Sequence, residues 1–129
     1  MLRRITLAVA ILLAVLASVM LAWYRIDGQP LPEARAFLKG PDYAAVESGD
    51  GSLLFTPAHA NGHGLLIMHG ALIKPLSYAK TAAFFAGQGY TVFLPRGALR
   101  LSITALDSAA ARIATLPVRD WYVIGHSMG

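Results

Sequence analysis

The alternation of apolar and polar positions divides the chain into three stretches. From Ile5 to Tyr24 almost every residue is apolar, broken only by Thr6 and Ser18, with Arg3 and Arg4 just ahead of the run. About twenty apolar residues at helical rise cross a bilayer core, and a helix apolar on every side is poorly suited to the amphipathic surface of a soluble domain. The pattern predicts one transmembrane helix over residues 1–25. Residues 26–42 read as a linker, with Gly28, Pro30, Pro32, Gly40 and Pro41 and a short helical possibility around Glu33–Leu38. From residue 43 to residue 129 the pattern is that of a folded domain.

Within that domain, Tyr43–Glu47 and Ser52–Thr56 flank Gly49-Asp50-Gly51 and predict a β-hairpin, because Asp-Gly readily supplies the positive φ of a tight turn. Leu65–Met68 is a short unbroken apolar run, as expected of a strand buried on both faces. A helix over Leu76–Ala86 follows, with Tyr78, Ala82 and Phe85 on one stripe and Gly87 and Gly89 as its stop. Tyr90–Leu94 is the next strand. A second helix over Ser102–Thr115 has Ile103, Leu106, Ala110 and Ile113 along one side. Trp121–Ile124 is the last strand. The expected fold class is α/β, an N-terminal hairpin followed by βαβαβ with parallel strands, preceded by the transmembrane helix.

Composition sharpens this picture. Hydrophobic residues make up 56% of the chain, and the excess sits in the N-terminal run. The net charge is +4, from 11 Lys and Arg against 7 Asp and Glu, and it falls to +2 without Arg3 and Arg4. The basic balance is therefore partly topogenic. No basic run interleaves with aromatics, so nucleic acid is not an expected partner. The absence of cysteine excludes disulfides, thiolate zinc sites and a lipid-attachment cysteine. The expected location is the membrane, single-pass, with Arg3 and Arg4 held in the cytoplasm and the folded part on the periplasmic or extracellular side. Trp23 and Tyr24 fall where amphipathic rings favour the headgroup layer. The alternative is cleavage near Val15-Leu16-Ala17 and secretion; continuation of the apolar run to Ala22 favours retention.

The chemistry-bearing signal is Gly125-His126-Ser127-Met128-Gly129, a G-x-S-x-G pattern placed directly after an apolar strand. A serine there sits on a sharp strand-to-helix turn, and flanking glycines relieve the crowding that bulkier neighbours would cause. Ser127 is the candidate nucleophile. His69-Gly70, at the end of the Leu65–Met68 strand, is the second signal; alone, it reads as a strand-ending turn. His59 and His63 have the spacing of a metal pair, but no carboxylate or cysteine is near them in sequence and a solvated loop is the better reading. No metal or cofactor is expected.

From about Tyr43 to Gly129, the hairpin, LLIMHGA, a helix beginning near PLSYA, GQGYTVFLPRG and WYVIGHSMG together resemble the N-terminal part of the α/β-hydrolase superfamily, especially small esterase- or lipase-like members with a membrane anchor. The resemblance implies oxyanion-hole donors at the backbone amides of Ala71 and Met128, with Gly70 allowing the close turn and Gly125 and Gly129 the elbow. It implies a structural role for Arg96 beside Gly97. It also implies an ester-like small-molecule substrate.

In the family the triad runs serine, then acid, then histidine. His59, His63, His69 and His126 precede or adjoin Ser127, and Asp107 and Asp120 precede it. The chain is therefore expected to be an incomplete hydrolase sheet that ends at the nucleophile elbow, inactive by itself, with Trp121–Ile124 as an open edge. The rival expectations are a non-catalytic, membrane-tethered binding module on the same scaffold, and a degenerate gene fragment.

Overall fold

The structure is a computed structural model that describes residues 2–129. The first residue of the expected membrane segment, Met1, lies outside the described residues. Helix α1 spans Leu2–Ile26, and its Arg3–Ile26 portion is long and apolar enough to cross a membrane, with a mean hydropathy of 2.8 and none of it buried in the protein. The linker contains a 3-10 turn at Pro32–Leu38, entered through Pro32.

Five strands follow: β1 (Tyr43–Glu47), β2 (Leu53–Pro57), β3 (His63–Met68), β4 (Thr91–Leu94) and β5 (Asp120–Gly125). Helices α2 (Ala79–Ala86) and α3 (Leu106–Ile113) connect the last three, each entered through a 3-10 turn, Pro75–Tyr78 and Ser102–Ala105 respectively. The strand order is β1-β2-β4-β3-β5. Strand β1 pairs antiparallel with β2, and β2 antiparallel with β4. Strand β3 runs parallel to both β4 and β5. The hairpin closes with Gly51 N–H donating to Ser48 O at 2.8 Å and Gly51 at φ 88°. Strand β2 runs one residue beyond the expected Thr56, to Pro57 opposite Tyr43.

The two faces of the sheet are packed unequally. On one face Leu53, Phe55, Ile67, Val92 and Leu94 are almost wholly buried beneath Ala79, Ala82, Ala83 and Ala86 of α2. On the other, Leu66, Met68 and Phe93 pack against Ala109 of α3. Fully burying one large aliphatic or aromatic side chain stabilises a fold by about 2 kcal/mol, so the α2 face supplies most of the cohesion. Successive β3 residues serve opposite faces, which explains why its apolar run does not alternate.

The expected stripe of the first of these helices faces the core: Ala82 is fully buried, and Tyr78 and Phe85 pack half-buried against the same cluster, with Ala79, Ala83 and Ala86 filling the closest approach. The stripe of the next helical segment differs from that expected. On the second helical segment, Ile103, Leu106 and Ala110 are exposed; Ser102, Ala105 and Ala109 are buried, and Ile113 packs at the margin. The reason is distance. Small residues let a helix backbone approach the sheet, and bulkier residues on the same turns are turned outward. Strand β5 is the open edge, with Tyr122 and Val123 more than half exposed.

Candidate functional site

The crossover through α2 carries the chain from β3 to β4 on one side, and the crossover through α3 carries it from β4 back past β3 to β5 on the other, so the strand order reverses at β3. In open α/β sheets such a switch point, at the carboxyl ends of the strands, is where ligands bind. The register places Met68 opposite Gly125, and His126 N–H donates to Met68 O at 3.1 Å. The segments after β3 and β5, 69–73 and 126–129, therefore emerge side by side.

Ser127 stands on the second of these with φ 59°. A non-glycine residue in the left-handed region carries a backbone cost of order 1–3 kcal/mol and persists only where its surroundings enforce it. The turn needs glycine on both sides of it. A Cβ on Gly129 would lie 2.1 Å from Met68 O, and one on Gly125 would lie 2.6 Å from Gly129 O. Gly129 N–H donates to His126 O at 3.1 Å and closes the turn. Ser127 is exposed, and its hydroxyl bonds to none of the described residues.

The loop after β3 is held by side chains. His69 is fully buried, and its carbonyl accepts the Ser102 hydroxyl at 2.7 Å. Its Nδ1 lies 2.9 Å from Gly70 O. Burial holds the His69 imidazole below its ordinary pKa, against the opposing pull of the Gly70 and Pro95 carbonyls. Gly70 N–H donates to the Tyr78 hydroxyl at 3.1 Å, and that oxygen lies 2.7 Å from His126 Nδ1. The Tyr78 hydroxyl thus joins the Gly70 amide to the His126 ring. A Cβ on Gly70 would come within 3.2 Å of that same Nδ1, so Gly70 is where the two segments approach. With the Gly70 amide committed, the N–H groups of Ala71 and Met128 donate to no acceptor among the described residues. A strained, exposed serine thus lies on one of two neighbouring segments at a switch point, and each segment carries an uncommitted amide, Ala71 on one and Met128 on the other.

The model of the alpha/beta hydrolase family matches residues 64–129. The chain belongs to that family. No curated protein and no solved structure matches it. The match runs from β3 through the elbow, and α1, the linker and the hairpin lie outside it.

On this hydrolase scaffold the remaining candidates disperse. Arg96 ties the end of β4 to the hairpin, donating from Nη1 to Asp50 O at 2.8 Å and from its N–H to Ser52 Oγ at 2.9 Å. His63 meets Asp120 at 3.3 Å and Arg119 at 3.1 Å. Asp120 is held below its usual range chiefly by the Arg119 hydrogen bond, which raises Arg119 in turn. Among the described residues no histidine bonds to Ser127. A cavity of about 490 Å³ lies between the linker, the β1–β2 turn and Arg96, and no elbow residue lines it.

Three contributors to this site escaped the sequence reading. Tyr78 was assigned to the core stripe of its helix, yet its hydroxyl joins Gly70 to His126. Ser102 reads as a helix-starting residue, yet its hydroxyl makes no cap bond and reaches across to His69. His126, the variable residue of the elbow, is the elbow's side-chain contact with the other loop. No local signal marks any of the three.

Proposed function

We propose that the protein acts as a serine hydrolase on carboxylic esters, through an acyl-enzyme on Ser127. The observation that carries this reading is Ser127 at φ 59° between two glycines that tolerate no side chain. In the reaction, Ser127 Oγ attacks the ester carbonyl. The negative oxygen of the tetrahedral intermediate is received by the Ala71 and Met128 amides, which have no competing acceptor to release. The alcohol leaves with a proton, and water then cleaves the acyl-serine. Serine is a weak nucleophile without a base, and that base needs an acid to orient it. The reading therefore requires an imidazole to take the Ser127 proton and pass it to the leaving alcohol, and a carboxylate to orient that imidazole; no histidine among the described residues bonds to Ser127.

Helix α1 serves as a signal anchor, with Arg3 and Arg4 in the cytoplasm and the hydrolase fold on the exported side. The mass of the mature N-terminus tests retention: loss of residues 1–17 overturns the anchor in favour of secretion.

The decisive experiment treats the full-length gene product in membranes with a fluorophosphonate probe. Wild type is expected to label on Ser127, and Ser127→Ala to lose the label. Equal labelling of the two overturns the nucleophile assignment. A folded wild type that never labels favours a membrane-tethered binding module on the same scaffold.

A further inference from the structure

The membrane helix does not end free. After Ile26 the chain turns through Gly28 at φ 64°, and Gly28 sits so close to the loop after β3 that a Cβ there would lie 2.1 Å from Leu72 O. Lys74 N–H donates to Gly28 O at 3.2 Å. Between these two segments lies Arg100, only 5% exposed and held at φ 58°. Its guanidinium stacks 4.1 Å above the Tyr24 ring. Its Nη1 donates to Asp27 O at 3.0 Å and to Leu72 O at 3.4 Å, and its own carbonyl accepts Leu72 N–H at 2.9 Å.

No carboxylate pairs with this buried cation, and its Nε has no partner among the described residues. Burying a charge on such terms is unfavourable unless strong local contacts offset it. Those contacts all come from two places: the carbonyl end of α1, where the helix dipole favours a cation, with its aromatic face, and the backbone of Leu72. The flat guanidinium lies over the Tyr24 ring while its Nη1 donates to both carbonyls.

We infer that Arg100 is a positioning residue that clamps the last turn of the membrane helix onto the loop bearing Ala71. The end of α1 is thereby part of the frame of the candidate site and is retained in the working protein. What the loop is for rests on the hydrolase reading; the clamp itself does not.

The test uses the full-length gene product in lipid nanodiscs. Arg100→Met keeps the stem and removes the fork. It is expected to speed amide exchange at Leu72 and Lys74 at least tenfold, with the β3 amides unchanged, and to slow fluorophosphonate labelling of Ser127 per folded molecule by about tenfold. Unchanged loop exchange overturns the clamp. Residues 1–129 contain no cysteine, so Asp27→Cys with Ile73→Cys can be joined by a short thiol cross-linker. This pair is expected to cross-link efficiently in the otherwise wild-type protein, and failure to do so overturns the clamp whether or not Arg100→Met folds. Cross-linking the pair in Arg100→Met is expected to restore both exchange and labelling rate, which a general loss of stability would not allow. If wild type never labels while the exchange and cross-linking results hold, the hydrolase reading falls and the clamp stands.

Discussion

The two segments that meet at the candidate site are held by different physics. The elbow after β5 is shaped by backbone sterics: the turn that holds Ser127 left-handed passes where Gly125 and Gly129 have no room for a Cβ. The loop after β3 is shaped by distant side chains: Ser102 on the His69 carbonyl, Tyr78 on the Gly70 amide, Arg100 on Leu72. A steric constraint is all-or-none and local in sequence. A hydrogen-bonded one is graded and assembled from residues far apart in the chain. The elbow should therefore fail abruptly on substitution and the loop by degrees.

The largest effect is expected at Gly129. Gly129→Ala brings a methyl against Met68 O, so the turn must move, and it should cost about 3 kcal/mol in urea unfolding. It should also reduce phosphonate labelling of Ser127 at least a hundredfold. Gly49→Ala, where a Cβ meets nothing within 4 Å, is the control; equal effects from the two would erase the contrast.

Next comes Ser102→Ala, which leaves the buried His69 carbonyl without its donor and should cost about 1–2 kcal/mol. Labelling should fall several-fold rather than vanish. A loss of labelling as complete as that from Gly129→Ala would show that the loop, too, is all-or-none.

Tyr78→Phe should be milder, about 1 kcal/mol, because it frees Gly70 N–H and His126 Nδ1 at a half-buried position that water can reach. The sharper readout is proton exchange at the Gly70 amide, expected to rise while the β3 amides hold. No change there would mean that the hydroxyl does not hold the loop.

The gentlest probe is pH. His69 is held below its ordinary value of about 6.5, so on acidification the unfolded chain takes up a proton that the folded chain refuses. Its contribution to stability is complete above that ordinary value and declines as pH falls from there toward the lowered folded value. His69→Asn should flatten this part of the stability profile, and an unaltered slope in the variant would place the sensitivity elsewhere.

The elbow's legibility and the loop's opacity have the same origin. Gly125-His126-Ser127-Met128-Gly129 carries its signature within five residues, so the motif could be read without a fold, although the carbonyls that crowd Gly129 belong to Met68 and His69. Tyr78, Ser102 and Arg100 carry no such mark, because what each does depends on a partner brought near by β-sheet register or by the end of α1. The stripe of the third helix misled for a related reason: periodicity says that a helix has a face, but alanine packing, with Ile103 and Leu106 turned outward, depends on how closely the sheet is approached.

From sequence alone came the apolar N-terminal helix, the strand runs, the hairpin turn and the identity of the strained serine, since each is set by neighbours a few residues away. Tertiary structure alone decided that β3 lies between β4 and β5, that Met68 faces Gly125, and that α1 ends against the loop after β3. These are pairings across tens of residues, selected by the packing of whole faces, and no short window of the chain contains both partners.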